Sequence, residues 1–326
     1  MMMKAIIRVG LCSLCLLLFI QSACVTVKSQ RLQAQVEKSN CNQENKYHYT
    51  PQDIPTPIYK LEIDTALTSR FNRNEINAAN AIGMLDMLTQ YIQALKAVQQ
   101  NNTVERRLAL LEWRQKINHS IDLASLEISA VTAELDCEEE KIAQIASFLK
   151  EKEDETESKL TVGSIILGAV SAIATGIIIK DNDAANLIGV GVGLADATFG
   201  ILMLTNQRNI EIHHSRNVLR EIWQATETSS IYPPSIWYFL NYYNPQEPDK
   251  PSLRSQLIES WKSFGQISAT KGKTQNSSIE IYFSDGGKYT TAQLENRANM
   301  YDQLESAIKL MKQELRTLSQ KIADVH

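Results

Sequence analysis

Of the groups in this 326-residue chain that could trade protons, hold a metal or attack a carbonyl, few converge. Its five histidines include the adjacent pair His213-His214, with Glu211 close before them. Imidazole and carboxylate both ligate zinc. On the helix expected over 206–229, however, neighbouring side chains diverge by about 100°, so the pair cannot readily share one ion. These residues read as a solvated helix surface. Glu138-Glu139-Glu140 and the acidic run at 151–157 read as an outer helix face, with Lys141, Lys150, Lys152 and Lys159 as partners. No Gly-x-Ser-x-Gly elbow supports a serine nucleophile. Gly189, Gly191 and Gly193 lie inside an apolar run and lack the Lys-Ser/Thr end of a phosphate loop. The expectation is a protein that is not an enzyme, with no catalytic set, no metal and no cofactor.

Charge excludes another class. Lys and Arg number 33 against 37 Asp and Glu, giving −4 and an isoelectric point near 5.8. A nucleic-acid protein held by bulk positive charge would not look like this. Hydrophobic residues make up 44% and charged residues 21%, so the chain can bury a core. With 13 Gly and 8 Pro there are few of the turns a sandwich or barrel needs, and helices are expected.

The cysteines point to a compartment. Met1 to Lys4 with Arg8 is basic, 10–20 is apolar, and Gln21-Ser22-Ala23 precedes Cys24. The run is too short for a membrane span and reads as a secretory signal. Cys24 after Ser22-Ala23 resembles the lipobox of bacterial lipoproteins, although that family has Leu where this chain has Gln21. The resemblance covers residues 1–24. It implies a signal peptide at 1–23 and lipid on Cys24. Val25 in place of Asp then implies sorting to the outer membrane of a bacterial cell envelope. Cleavage would also remove Cys12 and Cys15. Cys41 and Cys137 would remain, either as one disulfide or as two free thiols. A bridge would close a loop of about 95 residues, worth ~4 kcal/mol in the chain-entropy model.

Periodicity supplies the frame. Residues 24–57 are polar and then proline-rich, and read as a tether. Over 61–98 apolar residues fall at three- and four-residue steps, the first of the long helices expected over 58–159. Ile117, Ile121, Ala124, Ile128, Val131, Leu135, Glu138, Ile142, Ile145 and Leu149 form a heptad seam, predicting a helix over 104–157. Tyr301, Leu304, Ile308, Met311, Leu315, Leu318 and Ile322 form another within 291–326. Such seams must be buried, which predicts an all-α, elongated antiparallel bundle. Residues 206–290 should hold a helix, a Pro/aromatic segment and one small β-hairpin. The hairpin is expected at 277–289, where Ile279, Ile281 and Phe283 alternate before Asp285-Gly286. The aromatics at 237–243 suit a cap closing the bundle end better than a lipid anchor.

One stretch stands apart from the amphipathic helices. Residues 160–179 are twenty in a row without a charge, and 184–205 are again apolar, with Asp196 the sole ionisable group. The reading is a glycine-rich hydrophobic helical hairpin over 160–205. Ser164, Gly168, Ala172 and Gly176 stand four apart, as do Gly189, Gly193 and Ala197. Small residues at that spacing let two helix backbones approach closely. Asp196 is costly in lipid and should face the partner arm or water. Either a bilayer or the surrounding bundle could bury the arms.

Long heptad helices flanking such a hairpin resemble the α-helical pore-forming toxins of the cytolysin A and haemolysin BL type. That resemblance is architectural, carried by the order of segments 104–157, 160–205, 206–229 and 291–323. It implies a hairpin that swings out into a target membrane. The expected function is a non-enzymatic, lipid-anchored envelope protein made membrane-active by that hairpin. The alternative is a periplasmic coiled-coil scaffold or assembly factor with the hairpin buried in protein. Membrane lipid is the expected partner, with a second copy or an envelope protein beside it and no nucleic acid.

Overall fold

A computed structural model describes residues 41, 46–178, 208–214, 216–267 and 280–324, without side-chain detail for 163–178. It is mostly helical with one small two-stranded antiparallel sheet, in a bundle-like arrangement built on a long helix. The elements run α1 (Thr65–Thr68), α2 (Arg73–Ala81), α3 (Leu85–Gln100), α4 (Val104–Ile178), β1 (Asn209–His213), α5 (Val218–Gln224), α6 (Pro234–Asn241), α7 (Leu253–Ser263), β2 (Gly286–Thr290) and α8 (Thr291–Asp324). Two compact units divide the chain. One holds 38–142, 213–286 and 296–326, the other 1–37, 143–212 and 287–295.

In the first unit the expected seams are the core. Ile117, Ile121, Ala124, Ile128, Val131, Leu135 and Ile142 of α4 are buried, as are Tyr301, Leu304, Ile308, Met311, Leu315, Leu318 and Ile322 of α8. Lys312 Nζ donates to Ser129 Oγ, and the carboxylates of Asp136 and Glu139 lie close to that of Glu305. Numbers rise on one helix as they fall on the other, so α4 and α8 are antiparallel here. Helix α3 adds Leu88, Tyr91, Ile92 and Leu95 to the core. It reaches α4 through Ser120 and Met87, and α8 through Tyr91 Oη to Ile322 O. Glu138, the polar member of the seam, is only partly exposed and pairs with Lys141 at 2.8 Å.

Over 61–98 the single helical signal resolves into three helices. Asn72 accepts from Glu75 N, and the Glu75 carboxylate accepts from Asn72 N, a capping box that starts α2. Gly83 at φ 66° ends the turn between α2 and α3, a conformation that favours glycine. The described part of the expected tether is also held in place. Tyr47 N donates to Ser230 O, and Tyr49 Oη donates to Tyr232 O.

Two expectations for 206–290 are corrected. Asn209–His213 is a strand where a helix was predicted, with Ile210 and Ile212 buried and Glu211 and His213 exposed. Its alternation has a period of two, which the helical reading overlooked. Of the segment 277–289, the described residues 280–289 form no local hairpin. Residues 280–283 make a helical turn, and β2 pairs with the distant β1. The cause is packing: Phe283 stacks on Trp223 at 4.6 Å between centroids and tilts against Trp261 at 6.2 Å. Phe283 thus serves an aromatic core and not a strand face.

In the second unit, α4 continues past the predicted end at 157 as far as Ile178. Ile145, Ala146 and Leu149 are buried, together with Ile210, Ile212, Tyr289 and Leu294. Arg208 ties the chain before β1 to α4, its backbone N–H to Glu153 Oε1 at 2.7 Å and its guanidinium to Thr156 Oγ1 at 3.1 Å.

Candidate functional site

The residues singled out for membrane packing divide between described and undescribed chain. Ser164, Gly168, Ala172 and Gly176 lie on α4, which is helical through all four. Their four-residue spacing therefore places them along one helix face. Gly189, Gly193, Asp196 and Ala197 lie outside the described residues, as does Cys24. The second arm and the reversal between the arms likewise fall outside them. Among the described residues, no helix is long and apolar enough to cross a membrane.

Cys41 and Cys137, 96 positions apart in sequence, are joined by a disulfide. Of the two states left open by the sequence, this is the bridged one. It fastens the start of the described chain to α4 in the first unit. Cys41 is buried on that helix.

The Pro/aromatic segment builds a floor and a groove. Pro234 starts α6, where its missing N–H costs nothing. Trp237 and Tyr238 are buried on its inner side. Tyr238 Oη donates to Asn77 Oδ1 at 2.7 Å and accepts from Asn80 Nδ2 at 3.0 Å, while Asn80 also donates to Thr56 O. Burial pushes the Tyr238 phenol above its ordinary range, so it stays a neutral donor. Above lies an open groove of about 490 Å³ between Pro51, Pro55, Pro57 and Tyr59 on one side and Tyr242 and Tyr243 on the other. Beyond Tyr242 is a second opening of about 460 Å³, where Glu247 pairs with Arg73 and Lys250 at 2.7 Å each. Rings and prolines can stack on a flat or extended apolar ligand.

Two polar clusters were not anticipated. Arg297 is fully buried, and among the described residues its hydrogen bonds go to neutral acceptors. It donates to Tyr282 O, Asn217 Oδ1 and Tyr301 Oη, and its cation sits 5.1 Å from the Tyr301 ring. Asn217 donates to Tyr282 O and Ser284 O, and Arg220 donates to Phe283 O. Together they clamp the 280–285 segment. His214 is buried close by, its pKa lowered to about 2 by burial first, then by Arg297, Lys141, His213 and Arg220. So the histidine pair is half core and half surface. The signal was present upstream of the α8 seam: Arg297 stands four residues before Tyr301, on the same stripe.

The other cluster is Asp136, Glu139 and Glu305, whose carboxylates lie within 4.8 Å of one another. Carboxylates so placed could hold a hard divalent cation. Glu305 already pairs with Lys309 at 2.6 Å. Burial raises the Glu139 pKa, with Asp302, Glu305 and Asp136 adding to the effect. The residues that meet here come from two helices far apart in sequence, so no local pattern announced them. Comparison of the chain with family models, curated proteins and solved structures yields no match.

Proposed function

We propose that this is a non-enzymatic protein of a bacterial envelope, lipid-anchored at Cys24, that presents the apolar hairpin 160–205 to a lipid bilayer. The observation that carries the reading is continuity. Helix α4 runs unbroken from a buried heptad seam into the uncharged stretch that begins at Leu160. Glycine at 163, 168 and 176 lowers helix stability in water by about 1 kcal/mol each, so their presence calls for a close-packing partner. The Cys41–Cys137 disulfide agrees with an oxidising compartment outside the cytosol.

Partitioning tests the reading. The mature chain carrying Cys24→Ser, and so lacking any lipid, is mixed with liposomes and floated through a gradient. Flotation that disappears when 160–205 is replaced by a short polar linker supports insertion. Absence from the lipid fraction with anionic and neutral vesicles, across pH 5 to 8, contradicts it.

A second reading, a coiled-coil scaffold, is favoured by one feature. The outer face of α4 in the first unit exposes Val104, Leu108, Leu111, Leu123 and Leu126. A scaffold would use that face on a partner and keep the hairpin in protein.

A further inference from the structure

We infer that the outer face of α4 between Val104 and Ala133 binds a second copy of this chain, with the two helices antiparallel and centred near Ile117. Val104, Leu108, Leu111, Leu123 and Leu126 are each 53–66% exposed, on the side opposite the buried Ile117, Ile121 and Ile128. Ala130 and Ala133 continue the stripe and are exposed as well. At about 100° per residue these positions share one side of the helix, as does Cys137 beyond them. There Cys41 occupies the same side through its disulfide. Among the described residues the face is covered at that end and exposed along the rest.

Register and charge point to the occupant. Val104, Leu108 and Leu111 stand as far before position 117 as Ala130, Leu126 and Leu123 stand after it. A two-fold axis at that level sets leucine on leucine at both ends and Gln115 against His119. Residues 104–116 hold four basic side chains, Arg106, Arg107, Arg114 and Lys116, against Glu105 and Glu112. Residues 118–130 hold Asp122 and Glu127 and no Lys or Arg. An antiparallel pair lays the basic half of each helix on the acidic half of the other. A parallel pair would stack like on like. Both features are what an isologous interface requires, the same patch complementing itself. One helix face is a small contact, so the dimer should be concentration-dependent.

The test uses the mature full-length chain with Cys24→Ser. Sedimentation should show a mass rising from one copy to two with concentration. Leu111→Glu should weaken that association roughly tenfold or more while leaving the melting temperature of the dilute, single-copy protein unchanged, because Leu111 is exposed in the protomer. In a mixture of differently tagged copies, Leu111→Cys should cross-link to Leu123→Cys and not to itself. A single-copy mass at every concentration overturns the proposal. So does a dimer unaffected by Leu111→Glu, since the hairpin or another surface must then hold it. Cross-linking of Leu111→Cys to itself overturns the antiparallel register. Shielding of a Leu111→Cys thiol within a single copy would assign the face to residues 25–40.

Discussion

Burial first, and the Arg297 cation after it, keep His214 from taking up a proton. His214 is neutral in the folded protein, with a pKa of about 2, whereas in the unfolded chain it titrates near its ordinary value of 6.5. Below pH 6.5 the unfolded state therefore binds the extra proton, and stability falls as pH drops from 6.5 toward 2. The slope is about 1.4 kcal/mol per pH unit from this group. Chemical denaturation at pH 7 and pH 5 should show that loss, and His214→Gln should lose less than the wild type over the same interval. Equal losses would mean that His214 is not shielded from protons. For Arg297 the expected cost of Arg297→Ala is about 3 kcal/mol or more, because Tyr282 O and Asn217 lose a buried donor. Arg297→Lys should recover little, since one ammonium cannot reach three acceptors set around a planar fork. A near-neutral Arg297→Lys in thermal melts would contradict the clamp. The place of Arg297 on the α8 stripe could be read from the sequence, but its burial could not. An arginine on a helix stripe looks like a surface charge until the 280–285 segment is seen folded over it.

At the scale of elements, heptads were legible because a buried seam repeats its signal over many turns. The apolar positions named on α4 and α8 are all buried, and Glu138 is partly exposed. Polar substitution at Ile128 or Leu315 should cost about 3–5 kcal/mol, the loss of an apolar side chain plus an unsatisfied polar group. Glu139→Gln should cost little or stabilise, since it removes one charge from a cluster of four carboxylates. Equal effects at Ile128 and Glu139 in urea denaturation would mean the seams do not pack as described. Short elements were less legible. Five residues of β1 carry too few alternations to outweigh a helical neighbourhood, and β2 finds its partner more than seventy residues away. Capping was visible in principle: Asn72 and Glu75 form the box that breaks the long helical signal over 61–98. The disulfide acts at this scale too. Its 96-residue separation predicts that Cys41→Ser with Cys137→Ser lowers stability by roughly 2–4 kcal/mol. Reduction of the wild type should reproduce that shift, and no shift on reduction would indicate that the bridge constrains nothing.

For the molecule as a whole, the central claim is that 160–205 enters lipid. The helix leading into that stretch and the glycines within it motivate that proposal. Damage from Gly168→Leu would not decide the matter, because close helix packing is needed in protein as much as in a membrane. Depth decides it. Single cysteines at Ile166 and Val192, each carrying an environment-sensitive dye, are placed in the Cys24→Ser chain and exposed to liposomes with quenchers fixed on the acyl chains. The account predicts a blue shift on adding membranes and quenching at both positions. Dyes that stay shielded from acyl-chain and aqueous quenchers alike, with and without membranes, would contradict it and leave the hairpin buried in protein.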